Sequence, residues 1–242
     1  MLLMPLTPPK DAVYFEQLYQ THADPWDYRQ AAEQAKYRLT LEAACRWQPH
    51  PSRVLDVGCS LGYLTELLAG YAPEVFAVDI SETAVRLTRE RCAARDSATR
   101  FDIRLGDALA PAFAAGQFDV VFVGDVLQGA FESSHRAVEA VRVLLPLLTP
   151  GGVLIVADYL NPSQQNDYLS LVERGGAQVL EKLYFNDRYW FRLKGALKGL
   201  RTTAFGQRLL CSQRVYRFLA RRSAKRGPQG SKHFGLVVRP RP

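Results

Sequence analysis

The chain has 242 residues, 48% of them hydrophobic and 23% charged, with 17 Gly and 14 Pro. At roughly 100 to 200 residues per domain this length supports one well-cored domain with an appendage and excludes two full enzymatic domains; the usage excludes disordered, collagenous and fibrous classes. The formal charge of +7 is unevenly spread, because residues 1–180 carry 15 Lys and Arg against 22 Asp and Glu, a net of −7, whereas residues 181–242 carry 16 against only Glu181 and Asp187, a net of +14. A basic C-terminal quarter on an acidic body implies contact with something anionic. No apolar run reaches the roughly 18 residues of a membrane span, and Met1 to Pro5 lack the basic start and long apolar stretch of a secretory leader, so a cytoplasmic protein is expected. Cys45, Cys59, Cys92 and Cys211 show no CxxC spacing. That argues against a zinc site and a disulfide framework, and no metal is expected.

In chain order, two helical stretches over residues 11–22 and 31–47 flank the connector Ala23-Asp24-Pro25-Trp26-Asp27-Tyr28. Short runs rich in Val, Ile, Leu and Phe then alternate with helical patterns. The strands are read at 53–57, 74–79, 101–105, 118–123 and 153–158, and the helices at 62–70, 82–93 and 134–148. This order is that of repeated βα units around a parallel sheet covered on both faces. Pro146 is expected to kink or end the third of these helices early, and Thr149-Pro150-Gly151-Gly152 reads as a turn. A polar helix over 163–174, a strand over 177–184, a basic segment over 186–232 and a last strand over 233–238 follow. Within the basic segment, 205–222 reads as one helix with an apolar stripe and 221–228 as a loop.

The first strand ends in Asp56-Val57-Gly58-Cys59-Ser60-Leu61-Gly62, the place where an open α/β sheet binds its ligand. Three readings compete there. A dinucleotide site wants a second glycine where Ser60 stands. A nucleophile elbow fits, since Gly58-Cys59-Ser60-Leu61-Gly62 matches GxSxG, but no oxyanion loop precedes it and only His135 and His233 follow it. The third reading is the nucleoside pocket of an S-adenosylmethionine-dependent enzyme. Asp79 ends the second strand, where a carboxylate can accept both ribose hydroxyls, and Asp107 after the third strand can accept from the adenine amino group. An acidic pocket also suits a cofactor bearing a sulfonium and an ammonium group.

The DxGxxxG turn (Asp56, Gly58, Gly62), the acidic end at Asp79, the Gly106-Asp107 pair and the 149–152 turn together resemble class I S-adenosylmethionine-dependent methyltransferases over about residues 50–160. Upstream, Asp24-Pro25-Trp26, Lys36-Tyr37 and Thr40-Leu41 resemble the nodulation protein S branch, which methylates an amine on a chito-oligosaccharide; the long basic segment is a departure from it. The resemblance implies a Rossmann-like, doubly wound, mostly parallel sheet with a final antiparallel strand, N-terminal helices and a basic insertion before the last strand. It divides one domain, 1–242, into an N-terminal helical lid (1–50), a cofactor-binding core (51–184), the insertion (185–232) and the last strand and tail (233–242). It implies S-adenosyl-L-methionine as cofactor, with Gly58, Cys59 and Gly62 cradling its methionine part, Asp56 near the ammonium, Asp79 and Ile80 at the ribose and Asp107 and Ala108 at the adenine. Trp26 and Tyr28 would close over it. Asp125 would wall the pocket and, with Glu132 and His135, is a candidate base toward an acceptor nitrogen or oxygen on a small molecule or glycan. For residues 186–232 an anionic lipid or membrane surface is a candidate partner, giving peripheral membrane contact, and nucleic acid is disfavoured because no nucleic-acid fold is visible.

Overall fold

The computed structural model describes residues 11–127 and 134–241. Its strands are β1 (Arg53–Val57), β2 (Glu74–Asp79), β3 (Arg100–Leu105), β4 (Phe118–Gly124), β5 (Leu148–Tyr159), β6 (Ala177–Tyr184) and β7 (His233–Pro240). The helices are α1 (Ala12–Thr21), α2 (Ala31–Trp47), α3 (Tyr63–Leu67), α4 (Glu82–Ala93), α5 (Ser134–Leu144), α6 (Gln165–Arg174), α7 (Arg188–Ala196), α8 (Ala204–Leu210) and α9 (Gln213–Ala224). The strands form one sheet in the order β3-β2-β1-β4-β5-β7-β6. Pairing is parallel from β3 to β5, and β7 runs antiparallel to both its neighbours. The chain leaves β1 toward β3, then returns to the other side of β1 with β4. Ligands bind at such a reversal, outside the carboxyl ends of the strands.

Side-chain alternation builds a core on each face of the sheet. Along β4, Val121 and Val123 face one layer with Val138, Val141 and Leu144 of α5, while Val120 and Phe122 face the other with Ala43 of α2 and Leu64 of α3. The period of two explains why near-continuous apolar runs are needed in a sheet covered on both sides.

The structure corrects several expected boundaries. Residues 149–152 are not a turn before β5 but part of it. Pro150 has no N–H for the ladder, so pairing with β4 jumps from Phe118–Leu148 to Val120–Val153, an irregularity that lets the strand continue. The helix read over 62–70 shrinks to the five residues of α3. The helix read over 205–222 is two, because Ser212 leaves helical geometry and its side chain caps α9 by accepting from the Val215 N–H. Residues 221–224 finish α9 and Gly227–Gly230 form a 3-10 turn, where a loop was expected. Pro146 lies in a single 3-10 turn, Leu145–Leu147, that ends α5 as expected.

The basic segment folds onto the body. Trp190, Leu210 and Tyr216 pack on Ala31, Ala32 and Ala35 of α2, whose small side chains admit the indole. The Tyr216 hydroxyl donates to the Phe185 carbonyl at 3.0 Å. Trp190 is fully buried, and truncating such a residue costs about 3–5 kcal/mol, so this packing ties α7 and α9 to α2. Among the described residues no helix is long and apolar enough to cross a membrane.

Candidate active site

Five parallel strands end at one edge of the sheet, and the antiparallel β7 begins there. Their turns open into a cavity of about 570 Å³, within the usual range for a small-molecule site. Gly58, Ser60, Asp79, Ile80, Asp107 and Ala108 line one end. Glu33, Asp125, Tyr159, Phe191 and His233 line the other, and Phe15, Tyr19, Trp26 and Tyr28 reach over it from the N-terminal helices.

At the sheet-edge end, Gly58 has a left-handed backbone (φ +77°), and a Cβ there would meet Val126 Cγ2 at 2.5 Å. Only glycine keeps that approach open. The Asp79 carboxylate accepts from the Ser60 N–H at 2.8 Å and the Ser81 N–H at 3.0 Å. Burial pushes its pKa up, and those backbone donors oppose the rise without cancelling it. Asp107 accepts from the Leu109 N–H at 2.9 Å.

The N-terminal helices are fastened to this edge by polar side chains. The Glu16 carboxylate accepts from the Ser81 hydroxyl at 2.6 Å, the Thr83 hydroxyl at 2.6 Å and the Thr83 N–H at 3.1 Å, which lower its pKa to about 2. The Trp26 indole donates to the Tyr19 hydroxyl at 3.3 Å. Tyr19 and Tyr28 hydroxyls lie 2.6 and 2.9 Å from Ser60 Oγ. Burial raises the pKa of both phenols, so they stay neutral, and the Tyr28 hydroxyl donates to Ser60 Oγ. Ser60 Oγ is thereby engaged by two tyrosines, and among the described residues no histidine hydrogen-bonds to it; the hydroxyl is not arranged as a hydrolase nucleophile.

The opposite end is an ionic cluster. The Lys36 ammonium lies 2.7 Å from Glu33 Oε2 and also pairs with Asp125 Oδ2. Asp125 Oδ1 accepts from the Tyr159 N–H at 2.9 Å. Burial works to raise the Asp125 pKa, but Lys36 and His233 outweigh it, and the carboxyl is held below its ordinary range. His233 Nδ1 sits 2.6 Å from Asp187 Oδ2, and Nε2 is 3.8 Å from Asp125 Oδ1 and 3.9 Å from Glu33 Oε1. Ligand atoms of Glu33, Asp125 and His233 come within 4.8 Å of one another. The single Lys36 ammonium pairs with both carboxylates and offsets one of their two negative charges, so these side chains form an ion-pair network beside His233.

The sequence-predicted residues divide accordingly. Trp26, Tyr28, Gly58, Asp79, Ile80, Asp107, Ala108 and Asp125 are brought to the cavity. Asp56, Cys59 and Gly62 are not among its lining residues. Asp56 accepts from the Thr65 hydroxyl at 2.7 Å, and burial lifts its pKa to about 7. The Cys59 thiol packs with Ala77, Val85 and Cys92. Gly62 caps α3 at φ +75°, with Thr88 in the space a Cβ would take. These three shape the turn from behind. His135 is also corrected: it lies exposed near the start of α5 and does not line the cavity, whereas the next residue, Arg136, does. Glu132 lies outside the described residues. Sequence reasoning assigned no site role to Glu33 or Asp187, named Lys36 only within the Lys36-Tyr37 resemblance, and considered His233 only as a partner for a nucleophile elbow.

Comparison with known proteins agrees with this geometry. Residues 55–156 match the family model described as a methyltransferase domain. The chain is 28% identical over 166 residues to protein-L-isoaspartate O-methyltransferase of Bordetella petrii, covering 69% of this chain and 56% of that protein. It is 32% identical over 125 residues to a ubiquinone biosynthesis O-methyltransferase of a Caulobacter strain, covering 52% and 48%. The chain thus spans about half the length of these curated relatives. Its fold matches N-methyltransferase NodS from Bradyrhizobium japonicum, solved with S-adenosyl-L-homocysteine, at a TM-score of 0.65 and 15% identity over 96% of this chain and 98% of that one. Residues 55–156 thus match a methyltransferase domain, on a fold shared with a solved methyltransferase. In overall fold it resembles NodS.

Proposed function

We propose that the protein transfers the methyl group of S-adenosylmethionine to nitrogen or oxygen of a small molecule or glycan. The observation that carries this is the joining, in one cavity, of the acidic sheet-edge turns to a second end bearing a buried histidine among carboxylates. Gly58 with the neighbouring backbone would hold the methionine part, Asp79 and Ile80 the ribose, and Asp107 and Ala108 the adenine. When bound, the cofactor supplies an activated methyl group. The chain's own work is then to orient an acceptor at the Tyr159, Phe191 and His233 end and to exclude water; such positioning can contribute roughly 7–11 kcal/mol. Residues 11 to about 50 act as a lid, held down through Glu16, Tyr19 and Tyr28, over a core of about 51–184. Acceptor-dependent release of S-adenosylhomocysteine, with mass spectrometry of the product, tests the reading; cofactor binding without such release for any amine, amino sugar or alcohol would count against it.

A second proposal concerns the surface of α7–α9. Of the Lys and Arg between 186 and 232, Lys194 alone forms an ion pair among the described residues, at 3.0 Å to Asp27. Phe205 and Phe218 stand 63% and 59% exposed on the same helices. Cations flanking exposed aromatics suit an anionic lipid surface. Because α7 also supplies Phe191 to the cavity, a membrane held there would lie beside the acceptor end. Flotation with phosphatidylserine vesicles at low salt, lost in Phe205→Ser/Phe218→Ser, is expected; wild-type protein that stays unbound would refute it.

A further inference from the structure

We infer that His233, held by Asp187, takes the proton released when the acceptor's N–H or O–H group is methylated, with Asp187 as its positioning residue. This rests on the methyltransferase reading. Both residues are buried, with side chains 3% and 2% exposed, and His233 lines the acceptor end of the cavity. Asp187 opens α7, accepting from the Lys232 N–H at 2.6 Å, the His233 N–H at 3.3 Å and the ring at Nδ1. A carboxylate on Nδ1 requires the proton on that nitrogen, which leaves the Nε2 lone pair as the basic site. Edge contacts from Tyr159, Phe191 and Phe185, with ring centroids 5.4, 5.5 and 6.1 Å away, fix the plane of the imidazole.

Nε2 is too far from Asp125 and Glu33, at 3.8 and 3.9 Å, to spend its lone pair or proton on either. It is therefore left for a guest in the cavity. The neighbouring acids cannot easily take its place. Asp125 is paired with Lys36, accepts from Tyr159 N–H and has a depressed pKa, which makes it a weak base. Glu33 is itself salt-bridged to Lys36. Burial and the Lys36 ammonium pull the His233 pKa down, but the Asp187 hydrogen bond and the charges of Asp125 and Asp187 prevail and set it above the ordinary histidine value. The charged and titratable groups facing the ring are thus Glu33 and Lys36 of α2, Asp125 after β4, Tyr159 of β5 and Asp187 before α7.

The step balances without a further reactant. An acceptor lone pair forms the new N–C or O–C bond, the S–CH₃ bond breaks with its electron pair remaining on sulfur, and the acceptor proton moves to His233 Nε2. The resulting imidazolium is stabilised by Asp187 and returns its proton to water after product leaves. General-base catalysis of this kind contributes about 10²- to 10⁴-fold.

The test measures S-adenosylhomocysteine release with ethanolamine, glucosamine and catechol as probes for wild type, His233→Gln and Asp187→Asn across the neutral range. Calorimetric cofactor binding and histidine ¹⁵N NMR titration are run on the same samples. Expected is a wild-type rate that rises with pH through a midpoint above the usual histidine value of about 6.5. His233→Gln should lose about 10²-fold or more in kcat with cofactor affinity intact, and Asp187→Asn should move the midpoint to lower pH. Wild-type kcat and pH profile in a folded His233→Gln would overturn the proposal. If no probe is turned over, the methyltransferase reading is what fails, and the dyad is judged by NMR alone. There, a Nε2 signal that does not titrate, or a midpoint that Asp187→Asn leaves in place, overturns it.

Discussion

The two ends of the cavity are built on different principles. At the sheet-edge end each residue follows its own strand: Gly58 after β1, Asp79 closing β2, Asp107 after β3. Backbone amides do much of the holding, as in the pair from Ser60 and Ser81 to Asp79. The opposite end draws Glu33 and Lys36 from α2, Asp125 from the turn after β4, Asp187 from the start of α7 and His233 from β7. Its members are side chains that satisfy one another across up to 89 positions of sequence. An edge built from local turns tolerates loss of a member, whereas a mutual cluster leaves charges stranded when one goes.

Removing Lys36 should therefore be the most damaging test of this contrast. Lys36→Met deletes a buried ammonium, 4% exposed, and strands Glu33 and Asp125. Breaking such a pair costs about 3–5 kcal/mol, to be read as a loss in unfolding free energy by urea titration. A loss under about 1 kcal/mol would mean that the cluster is solvated like a surface pair. The cluster also carries two opposite pH dependences. Asp125, with its pKa depressed, contributes stability that is present at neutral pH and lost as pH falls through its folded value. His233, with its pKa raised, contributes stability present in acid and lost as pH rises through its folded value.

At the sheet-edge end the expected losses are in binding rather than in stability. Asp79→Ala removes a carboxylate proposed to accept the ribose hydroxyls. A charge-assisted hydrogen bond is worth about 1.5–3 kcal/mol, so cofactor affinity should fall about ten- to a hundredfold by calorimetry. The Asp79 pKa is raised by burial, so the fold bears the cost of holding this carboxyl at the cavity wall. Unchanged affinity in a folded variant would remove Asp79 from the cofactor end.

The same contrast explains what could be read from the sequence. β1, β2, β6 and α4 fall at their expected bounds because short apolar runs and helical spacing are local signals. Asp79 and Asp107 were legible for the same reason: strand-end position fixes which edge they occupy. His233 was not, since the role proposed for it depends on Asp187, 46 residues earlier, folding back to meet it. Residues 205–222 read as one helix because their apolar spacing continues through Cys211 and Ser212, while the capping hydroxyl of Ser212 breaks the backbone there. The +14 net charge of that quarter marked its surface and gave no hint that Trp190 would anchor it to α2.

The smallest effect is expected at Asp56, where the strand-end rule and the geometry disagree. Its place in the DxGxxxG turn suggests a cofactor contact, yet its carboxyl points back to Thr65 and is buried, with a pKa raised to about 7. A carboxylic acid with a raised folded pKa stabilises the protein in acid, and that contribution disappears as pH rises through the folded value. Asn keeps an oxygen for the Thr65 hydroxyl and has no charge to desolvate. Asp56→Asn should therefore raise the melting temperature most at about pH 8, by less at about pH 5, and little below about pH 4, where the carboxyl is protonated in both states. Cofactor affinity should move by less than about threefold, since no direct hydrogen bond worth about 1 kcal/mol or more is being removed. A tenfold loss of affinity with no gain in stability would return Asp56 to the cofactor and show that the strand-end rule extends one residue deeper into the turn than the cavity wall suggests.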